Sequence, residues 1–495
     1  MAGLGLPVSE TLAEHMAIPR GRPQRFGPGH VERLARQSAA RPFKPHRLVS
    51  SEWMSMHYEL YQQIHFRNKS ALWYGSRLPF EAQPLLPGML HRYPVDIFVV
   101  EGDEAWPLKF AMRLYRSEYP MARLDPAGAG GFSGVRLLSA PHRKDGLAEF
   151  AVFQGGSYFR AVGRDQKYGL SARGLALRTA DPNGEEFPVF RSLWLETPEP
   201  DAEGVRLHAL MESESVAGAY SFYVKPGATT VIEVEAMLFP RVDLDQVGIA
   251  PMSSMFQFNQ TNHWKFDDFR SGVHDSDGLL MATGAGEWQW RPLANPAQPY
   301  VSSFPDENPR GFGLLQRERD FENYGDLGPG YHERPSLWVE PKSPWGRGAV
   351  VLVELPTDTE VNDNIVAFWR PDKPWLAGSS HRLDYRLSWC WDATSKGRFA
   401  QVLRTRLGRN HTGMLLAAID FAPHPGLTDP SAVKADVRVR GGEFDHAWVQ
   451  PNEHTGGLRL NIGFEPGEAN AIELRAQLRR RRAPVSEVWH YRWSQ

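Results

Sequence analysis

The sequence predicts an all-β protein, a large β-sandwich followed by a smaller one. Three observations predict this fold class: aromatic residues make up 12% of the chain, Gly and Pro are frequent (45 and 39), and no segment keeps helical spacing over any length. Aromatic and β-branched residues favour strands, while Gly and Pro supply the backbone angles of tight turns. At 495 residues the chain is too long for one ordinary compact core, so we expect two domains.

Individual segments predict strands in order along the first part of the chain. Ala148–Phe153, Thr229–Ala236 and Ala349–Leu355 are rich in β-branched and aromatic residues. Turns are expected where Pro, Asn and Gly fall together, as in Asp181–Glu185. The main candidate for helix is a mixed amphipathic stretch from Pro45 to Tyr61.

From about Arg404 the pattern changes to short alternating strands, such as Lys434–Arg440 and Leu458–Ile462, separated by Gly and Pro clusters. A C-terminal sandwich of roughly 90 residues fits this spacing. We therefore predict a first domain over 25–392, a linker over 393–403 and a second domain over 404–495.

The N-terminal residues 1–24 begin with a small, apolar segment that has no charged leader. We interpret this segment as the remnant of an export signal whose front part has been removed. We therefore expect residues 1–24 to be a flexible N-terminus.

Composition excludes several classes of protein. The 56 basic residues are balanced by 58 acidic ones and are spread along the chain, so nucleic acid is not an expected partner. The single Cys390 excludes an internal disulfide framework and a thiolate metal cluster. No apolar stretch approaches the ~20 residues that a membrane-spanning helix requires, so no stable membrane insertion is expected.

The richest cluster of polar residues runs from Phe266 to Arg291 and includes Asp267, Asp268, Asp275 and Asp277. So many carboxylates are unusual in a β core unless they are paired, bound to a metal or catalytic. An ordinary Asx turn over Asp275–Gly278 is the structural alternative.

A second acidic cluster lies in the loop 356–364, where Asp358, Glu360 and Asp363 precede an apolar strand. Asn362 and Asn364 flank Asp363, and their amides could orient a carboxylate or a sugar hydroxyl. The alternatives are a solvated hairpin connection or a calcium site. Calcium is disfavoured because the ligand spacing of a known calcium loop is missing.

Between these clusters, the segment from Tyr331 to Trp338 combines a phenol, a carboxylate, the guanidinium of Arg334 and an indole. Aromatic rings stack on the apolar faces of sugar rings, and charged side chains bind sugar hydroxyls. Most of the 16 Trp residues are expected in the core. The candidates to face a substrate are Trp288, Trp338, Trp345 and Trp369.

Other catalytic templates are absent: the chain has no Gly-x-Ser-x-Gly, no Gly-x-x-x-x-Gly-Lys and no His-Glu-x-x-His. The 17 His residues show no metal-ligand spacing, so neither a metal nor a cofactor is expected. Paired carboxylates remain, and these are the groups that cleave glycosidic bonds.

Several long strings at these positions resemble one protein family. They are Gly156-Ser-Tyr-Phe-Arg-Ala, Phe266-Asp-Asp-Phe-Arg, Val273-His-Asp-Ser-Asp-Gly-Leu, Arg334-Pro-Ser-Leu-Trp-Val-Glu-Pro and Asn362-Asp-Asn-Ile-Val-Ala-Phe-Trp. The chain resembles the OpgG/OpgD (MdoG) family of periplasmic glucan biosynthesis proteins, and within it the OpgD branch. The resemblance implies a galactose-mutarotase-like sandwich followed by an immunoglobulin-like one. It also implies a periplasmic location and a β-1,2-glucan partner.

By this resemblance, some members are inverting endo-β-1,2-glucanases, and a transglycosylase is the related outcome. Asp363 would be the general acid and Asp275 the general base. Tyr331 and Glu360 fall in motifs near that site. Together with Asp277, Arg334 and the tryptophans Trp338, Trp288 and Trp369 singled out above, they are the predicted substrate-binding residues. A homodimer is a further expectation, and the alternative function is a non-catalytic glucan-binding scaffold that assists a membrane synthase.

Overall fold

The computed structural model describes residues 17–117, 124–139 and 147–494. The expected signal remnant falls largely on residues 1–16, which lie outside the described residues. Strands are numbered along the chain, and strands dominate the part that the structure describes. The all-β prediction is therefore confirmed.

The largest sheet has sixteen strands over the described residues. Their order is β1 (Gln24–Arg25), β5 (Glu104–Pro107), β4 (Asp96–Glu101), β12 (Val189–Glu196), β13 (Val205–Glu212), β14 (Val216–Lys225), β15 (Thr230–Pro240), β26 (His381–Cys390), β23 (Ser336–Pro341), β22 (Gly311–Leu315), β19 (Gly278–Ala282), β20 (Trp288–Pro292), β34 (Val488–Ser494), β32 (Ala471–Arg480) and β29 (Val433–Arg440), with β33 (Ala483–Pro484) beside β32.

A second sheet has ten strands over the described residues. Their order is β21 (Tyr300–Glu307), β24 (Arg347–Glu354), β25 (Ile365–Pro371), β16 (Val247–Ser254), β10 (Ser171–Arg173), β9 (Tyr158–Ala161), β8 (Ala148–Gln154), β7 (Gly134–Ser139) and β3 (Phe80–Leu85), with β11 (Leu175–Leu177) beside β16. Two short pairs are β17 (Phe256–Phe258) with β18 (Val273–His274) and β2 (His65–Phe66) with β6 (Tyr115–Arg116).

The main core contains inward residues of both sheets. On β15, Ile232, Val234 and Leu238 are buried, while Glu233 and Glu235 on the opposite face are partly or fully exposed. Side chains of a strand alternate between its two faces, so this pattern of apolar and polar residues fixes which face enters the core. This alternation explains why the predicted strand over Thr229–Ala236 forms as part of β15.

A second core joins the C-terminal strands to the outer face of the large sheet, through Leu280, Trp290 and Leu315. It is covered by a sheet of β27 (Val402–Arg409), β28 (Leu415–Phe421), β31 (Gly457–Glu465) and β30 (Glu443–Asn452). The segment between β26 and β27 is irregular, yet β34 pairs in parallel with β20 and so continues the large sheet. The division of the chain at 393–403 stays a prediction.

Three α-helices occur among the described residues: α1 (His30–Ala39), α2 (Ser51–Met54) and α3 (Tyr58–Gln62). The two short ones fall in the stretch where helix was expected. Helix α1 was not predicted, although Val31 and Ala35 give it an apolar face that packs on β13, β14 and β15. None of the described helices is long and apolar enough to span a bilayer.

Candidate active site

Three loops beside the main core carry most of the polar residues singled out above. Asp275 directly follows β18, and Tyr331 opens a short 3-10 turn (Tyr331–Glu333) between β22 and β23. Glu360 and Asp363 belong to the loop between β24 and β25. Residues separated by about ninety positions therefore meet only through the way the strands pair.

A buried amide fixes the loop of Asp363 to the strand pair that ends at Asp275. The Oδ1 atom of Asn364 accepts the N–H of Phe256 at 2.8 Å, and its Nδ2 donates to the carbonyls of Phe256 and Leu355, both at 2.9 Å. Phe256 on β17 pairs with His274 on β18, next to Asp275. This side chain thus helps to fix the position of one acidic loop relative to the other.

A second buried amide joins the Asp275 strand to the Tyr331 turn. The Nε2 atom of Gln316 donates to the carbonyls of His274 at 2.8 Å and Tyr331 at 3.1 Å, and its Oε1 lies 2.8 Å from Nδ1 of His274. Burial lowers the pKa of His274 to about 4, so this ring is neutral near pH 7. The neutral ring donates its Nδ1–H to Gln316.

Asp275 is a buried carboxylate held by an arginine. Its Oδ1 pairs with Nη1 of Arg334, whose guanidinium lies 4.5 Å from the ring centre of Tyr331. Burial raises the pKa of Asp275 to about 6, against the lowering effect of Arg334, and the negative charge of Asp363 raises it further. The carboxylate of Asp275 therefore pairs with Arg334 rather than forming the Asx turn considered above.

Asp363 lies at the edge of the same region, and its side chain is 34% exposed. Its Oδ2 is 3.8 Å from Nη2 of Arg160, on β9. The charge of Arg160 also lowers the pKa of Asp275, and partial burial together with the charge of Asp363 raises that of the half-buried Tyr158. The charges of Asp363 and of Arg160 therefore both reach the buried carboxyl of Asp275.

Glu360 has a different partner, Arg270. The Nη1 of Arg270 lies 2.6 Å from Oε2 of Glu360 and 3.1 Å from Asp326, and its Nη2 is 2.8 Å from Asp268. Burial and the charge of Glu360 raise the pKa of Tyr331 well above its usual value, so its phenol stays protonated. Of the predicted site residues, Asp275, Arg334, Tyr331, Glu360 and Asp363 are thus brought together.

Asp277 points elsewhere. Its Oδ2 accepts the backbone N–H groups of Arg317 and Glu318 at 3.0 and 2.9 Å, and those residues pair with Glu487 and Arg404 of the C-terminal part. Burial raises the pKa of Asp277 to about 6. A buried carboxylate with these partners holds two segments together, so the structure does not support the substrate contact predicted for Asp277.

The tryptophans expected at the substrate lie in or against the cores. Trp369 is fully buried in the main core, and the substrate contact predicted for it stays a prediction. Trp345 packs against the same core. Trp288 and Trp338 stack on each other, with ring centres 5.7 Å apart, and pack against the second core rather than on the acidic loops.

Sequence reasoning missed Arg160 and Arg270 as parts of the site. Both fall in strings quoted for the family resemblance, but only the paired strands and loops place them beside acidic residues. It also missed Trp264, which is 70% exposed on the loop before Asp275. Its position in a short segment rich in Asn, His and Lys was the available signal.

The arrangement offers carboxyl groups with two different environments, one buried and paired, the other open to solvent. Two carboxyl groups in different environments are a common basis for one general acid and one general base in the same site. Among the described residues, no group of three or more His, Cys, Asp and Glu side chains is placed to hold a metal ion.

Comparison with known proteins identifies the family. A family model described as "Periplasmic glucan biosynthesis protein, MdoG" matches residues 26–493. The chain belongs to the MdoG family. This family membership agrees with the resemblance drawn from the sequence strings.

Curated relatives in the MdoG family are similar over nearly the whole chain. The glucans biosynthesis protein G of Vibrio cholerae is 44% identical over 94% of this chain and 86% of its own length. That of Bradyrhizobium diazoefficiens is 43% identical over 95% of this chain and 93% of its own length. Both carry the name protein G, and the narrower expectation of the OpgD branch stays a prediction.

Among solved structures, a family GH36 α-galactosidase from Geobacillus stearothermophilus aligns with 52% of this chain and 39% of its own at 9% identity, with a TM-score of 0.26. A likeness this weak carries no argument about the fold or the activity of the MdoG-family chain.

Proposed function

We propose that this chain is an enzyme that cleaves internal β-1,2-glucosidic bonds of a glucan with inversion at the anomeric carbon. One observation carries the proposal: Asp363, which lies 3.8 Å from Arg160 on a separate loop, is close enough to the buried Asp275 for its charge to raise the pKa of that carboxyl. A pair of carboxyl groups is what glycosidic cleavage uses. Membership in a glucan biosynthesis family supports a glucan as the substrate.

The two carboxyl groups take different roles. Asp363, at the open edge, donates a proton to the oxygen of the leaving sugar, so that the bond to the anomeric carbon breaks with a neutral leaving group. Asp275 accepts the proton of the attacking hydroxyl, directly or through a relay of water and a sugar hydroxyl. Its pKa of about 6 supports this role, because it is ionised near neutral pH and a stronger base than an ordinary Asp.

The neighbours of these carboxyls position and tune them. Arg334 pairs with Asp275 and keeps it ionised against the effect of burial. Tyr331, under the guanidinium of Arg334, keeps its phenol proton and offers a donor to a sugar hydroxyl. Glu360, fixed by Arg270, is a further candidate to bind hydroxyls of the glucan.

The attacking group decides the reaction. If water attacks, the chain is an inverting endo-β-1,2-glucanase. If a hydroxyl of a glucan attacks, it is a transglycosylase that forms an α-linkage and can close a ring. Both reactions use the same two carboxyl groups, and both convert a β-bond into a product of α configuration.

Incubation of the purified protein with linear β-1,2-glucan, followed by mass and linkage analysis, tests the proposal. Shorter or cyclised products are expected, and Asp363→Asn should stop turnover while leaving most binding intact. Unaltered glucan together with measurable binding would instead support the second candidate, a scaffold that holds glucan for a membrane synthase. Full activity of Asp363→Asn would refute the acid role.

A periplasmic location belongs to the same proposal and rests on the family's description. A homodimer is a further part of it. Detection of the mature protein in a periplasmic fraction, and its mass in solution, test these two points.

A further inference from the structure

Four large apolar side chains are strongly exposed on the loops that form the candidate active site. They are Trp264 (70% exposed), Phe269 (83%), Leu327 (85%) and Val361 (84%), and we call them the apolar rim. Apolar residues scattered singly on a surface are ordinary, but a group on neighbouring loops marks a binding surface.

Arg270 ties these loops together. Its three acidic partners are Asp268, Asp326 and Glu360, one from each loop. Each of these residues is followed directly in the chain by a member of the apolar rim, namely Phe269, Leu327 and Val361. One guanidinium thus fixes the backbone beside three exposed apolar side chains.

Trp264 is connected to the same point. It lies in the short 3-10 turn His263–Lys265, and Nε2 of His263 is 2.9 Å from the backbone oxygen of Arg270. Lys265 covers one side of the indole, with its Nζ 5.1 Å from the ring centre. The rim therefore contains two aromatic rings held on one braced loop.

The apolar rim continues from the acidic pair. Val361 precedes Asp363 by two positions. Burial, the charge of Glu360, which pairs with Arg270, and the charge of Asp275 all raise the pKa of Tyr331, so these groups lie near one another. A chain that lies on Asp363 and Tyr331 and extends past Glu360 would reach the rim next.

We propose that the apolar rim is a platform for glucosyl rings of the bound glucan on one side of the bond that is cleaved. The inference rests on the proposed function, because it names part of the substrate site. Apolar side chains beside paired charges match a sugar ring, which has an apolar face and an edge of hydroxyls. Four side chains are too few for a stable protein interface, which buries about 800 Å² on each partner.

The test replaces the whole rim at once, as Trp264→Ala, Phe269→Ala, Leu327→Ala and Val361→Ala. Because these side chains are exposed, their loss should leave the thermal unfolding temperature nearly unchanged. We expect calorimetry to show binding of long linear β-1,2-glucan weakened by about tenfold or more. The KM for this glucan should rise with little change in kcat, and a glucan too short to reach the rim should be unaffected.

The matched control replaces exposed apolar residues elsewhere on the surface, as Val242→Ala, Leu376→Ala and Phe444→Ala, and should bind glucan like the wild type. Unchanged affinity in the rim variant overturns the inference. So does a wild-type dimer that becomes a monomer in the rim variant, since the rim would then be a subunit interface. If the wild type binds glucan without cleaving it, the proposed catalysis fails, while the affinities still decide whether the rim binds.

Discussion

Asn364 satisfies both backbone polar groups of Phe256, accepting its N–H at 2.8 Å and donating to its carbonyl at 2.9 Å. Asn364 follows Asp363 in the chain, and Phe256 pairs with His274, which precedes Asp275. This amide therefore links the segments that carry the two carboxyl groups of the proposed reaction. A buried amide with all these partners is costly to replace, because each partner is left without a hydrogen bond.

Replacement of this amide should damage both stability and activity. Asn364→Ala leaves the N–H and C=O of Phe256 and the carbonyl of Leu355 unpaired, and should lower the free energy of unfolding by about 1–3 kcal/mol. Turnover of glucan should fall further than this loss explains at temperatures where the variant is folded. The exposed neighbour Asn362→Ala is the control for stability and should unfold like the wild type.

The pKa of Asp275, the proposed general base, predicts how kcat/KM falls at acidic pH (the acidic limb of the pH profile). Asp275 must be ionised to accept a proton, and its pKa is about 6, so kcat/KM should fall as the pH drops below about 6. Asp275→Asn should lower kcat by about 10²–10⁴-fold across the whole range. A profile that stays flat down to pH 4 would argue against Asp275 as the base.

Arg160 should shift that limb. Its positive charge lowers the pKa of Asp275, so Arg160→Gln should raise this pKa and move the fall in kcat/KM to higher pH. The exposed Arg164, four positions along, provides the comparison: Arg164→Gln should leave the limb in place. A lower kcat without any displacement of the limb would mean that Arg160 acts on Asp363 or the substrate alone.

Asp277 makes a prediction about stability and pH. Burial raises the pKa of Asp277 in the folded protein from its usual 3.8 to about 6, so its ionisation costs free energy in the folded protein only. Its contribution to stability is therefore full below about pH 4, declines as the pH rises to about 6, and then stays constant. Asp277→Asn keeps an acceptor for Arg317 and Glu318 and removes this decline.

Urea unfolding of wild type and Asp277→Asn from pH 4 to pH 7 measures the effect. The stability of the variant relative to the wild type should grow over this range by on the order of 3 kcal/mol, for a shift of about two pKa units. Asp267→Asn, at an exposed carboxylate, should show no such growth. A constant difference between Asp277→Asn and wild type would place the folded pKa of Asp277 near its usual value.

The sequence predicted the fold class and the acidic loops because those signals are local. Strand composition, turn residues and contiguous strings around Asp275 and Asp363 can be read within short windows. Arg160 could not be placed, because its ion pair joins β9 to a loop about two hundred positions later. The residues of β9 and of the Asp363 loop, taken separately, do not indicate which strands pair in the folded protein.

The tryptophans show a different limit of prediction from the sequence. The alternation of β25 places Ile365, Ala367 and Trp369 on its inward face, so the burial of Trp369 was open to prediction from the two-residue period. Trp264 lies in a loop, where no period applies, and its exposure depends on how Arg270 braces the surrounding segments.

The anomer released first from linear β-1,2-glucan tests the central claim most directly. Proton NMR recorded during cleavage, before mutarotation equalises the anomers, should show the α-anomer of the new reducing end. If a glucan hydroxyl is the acceptor, the new linkage should be α. A new β-anomer or β-linkage, or intact glucan after prolonged incubation with folded protein, would contradict inversion by Asp363 and Asp275.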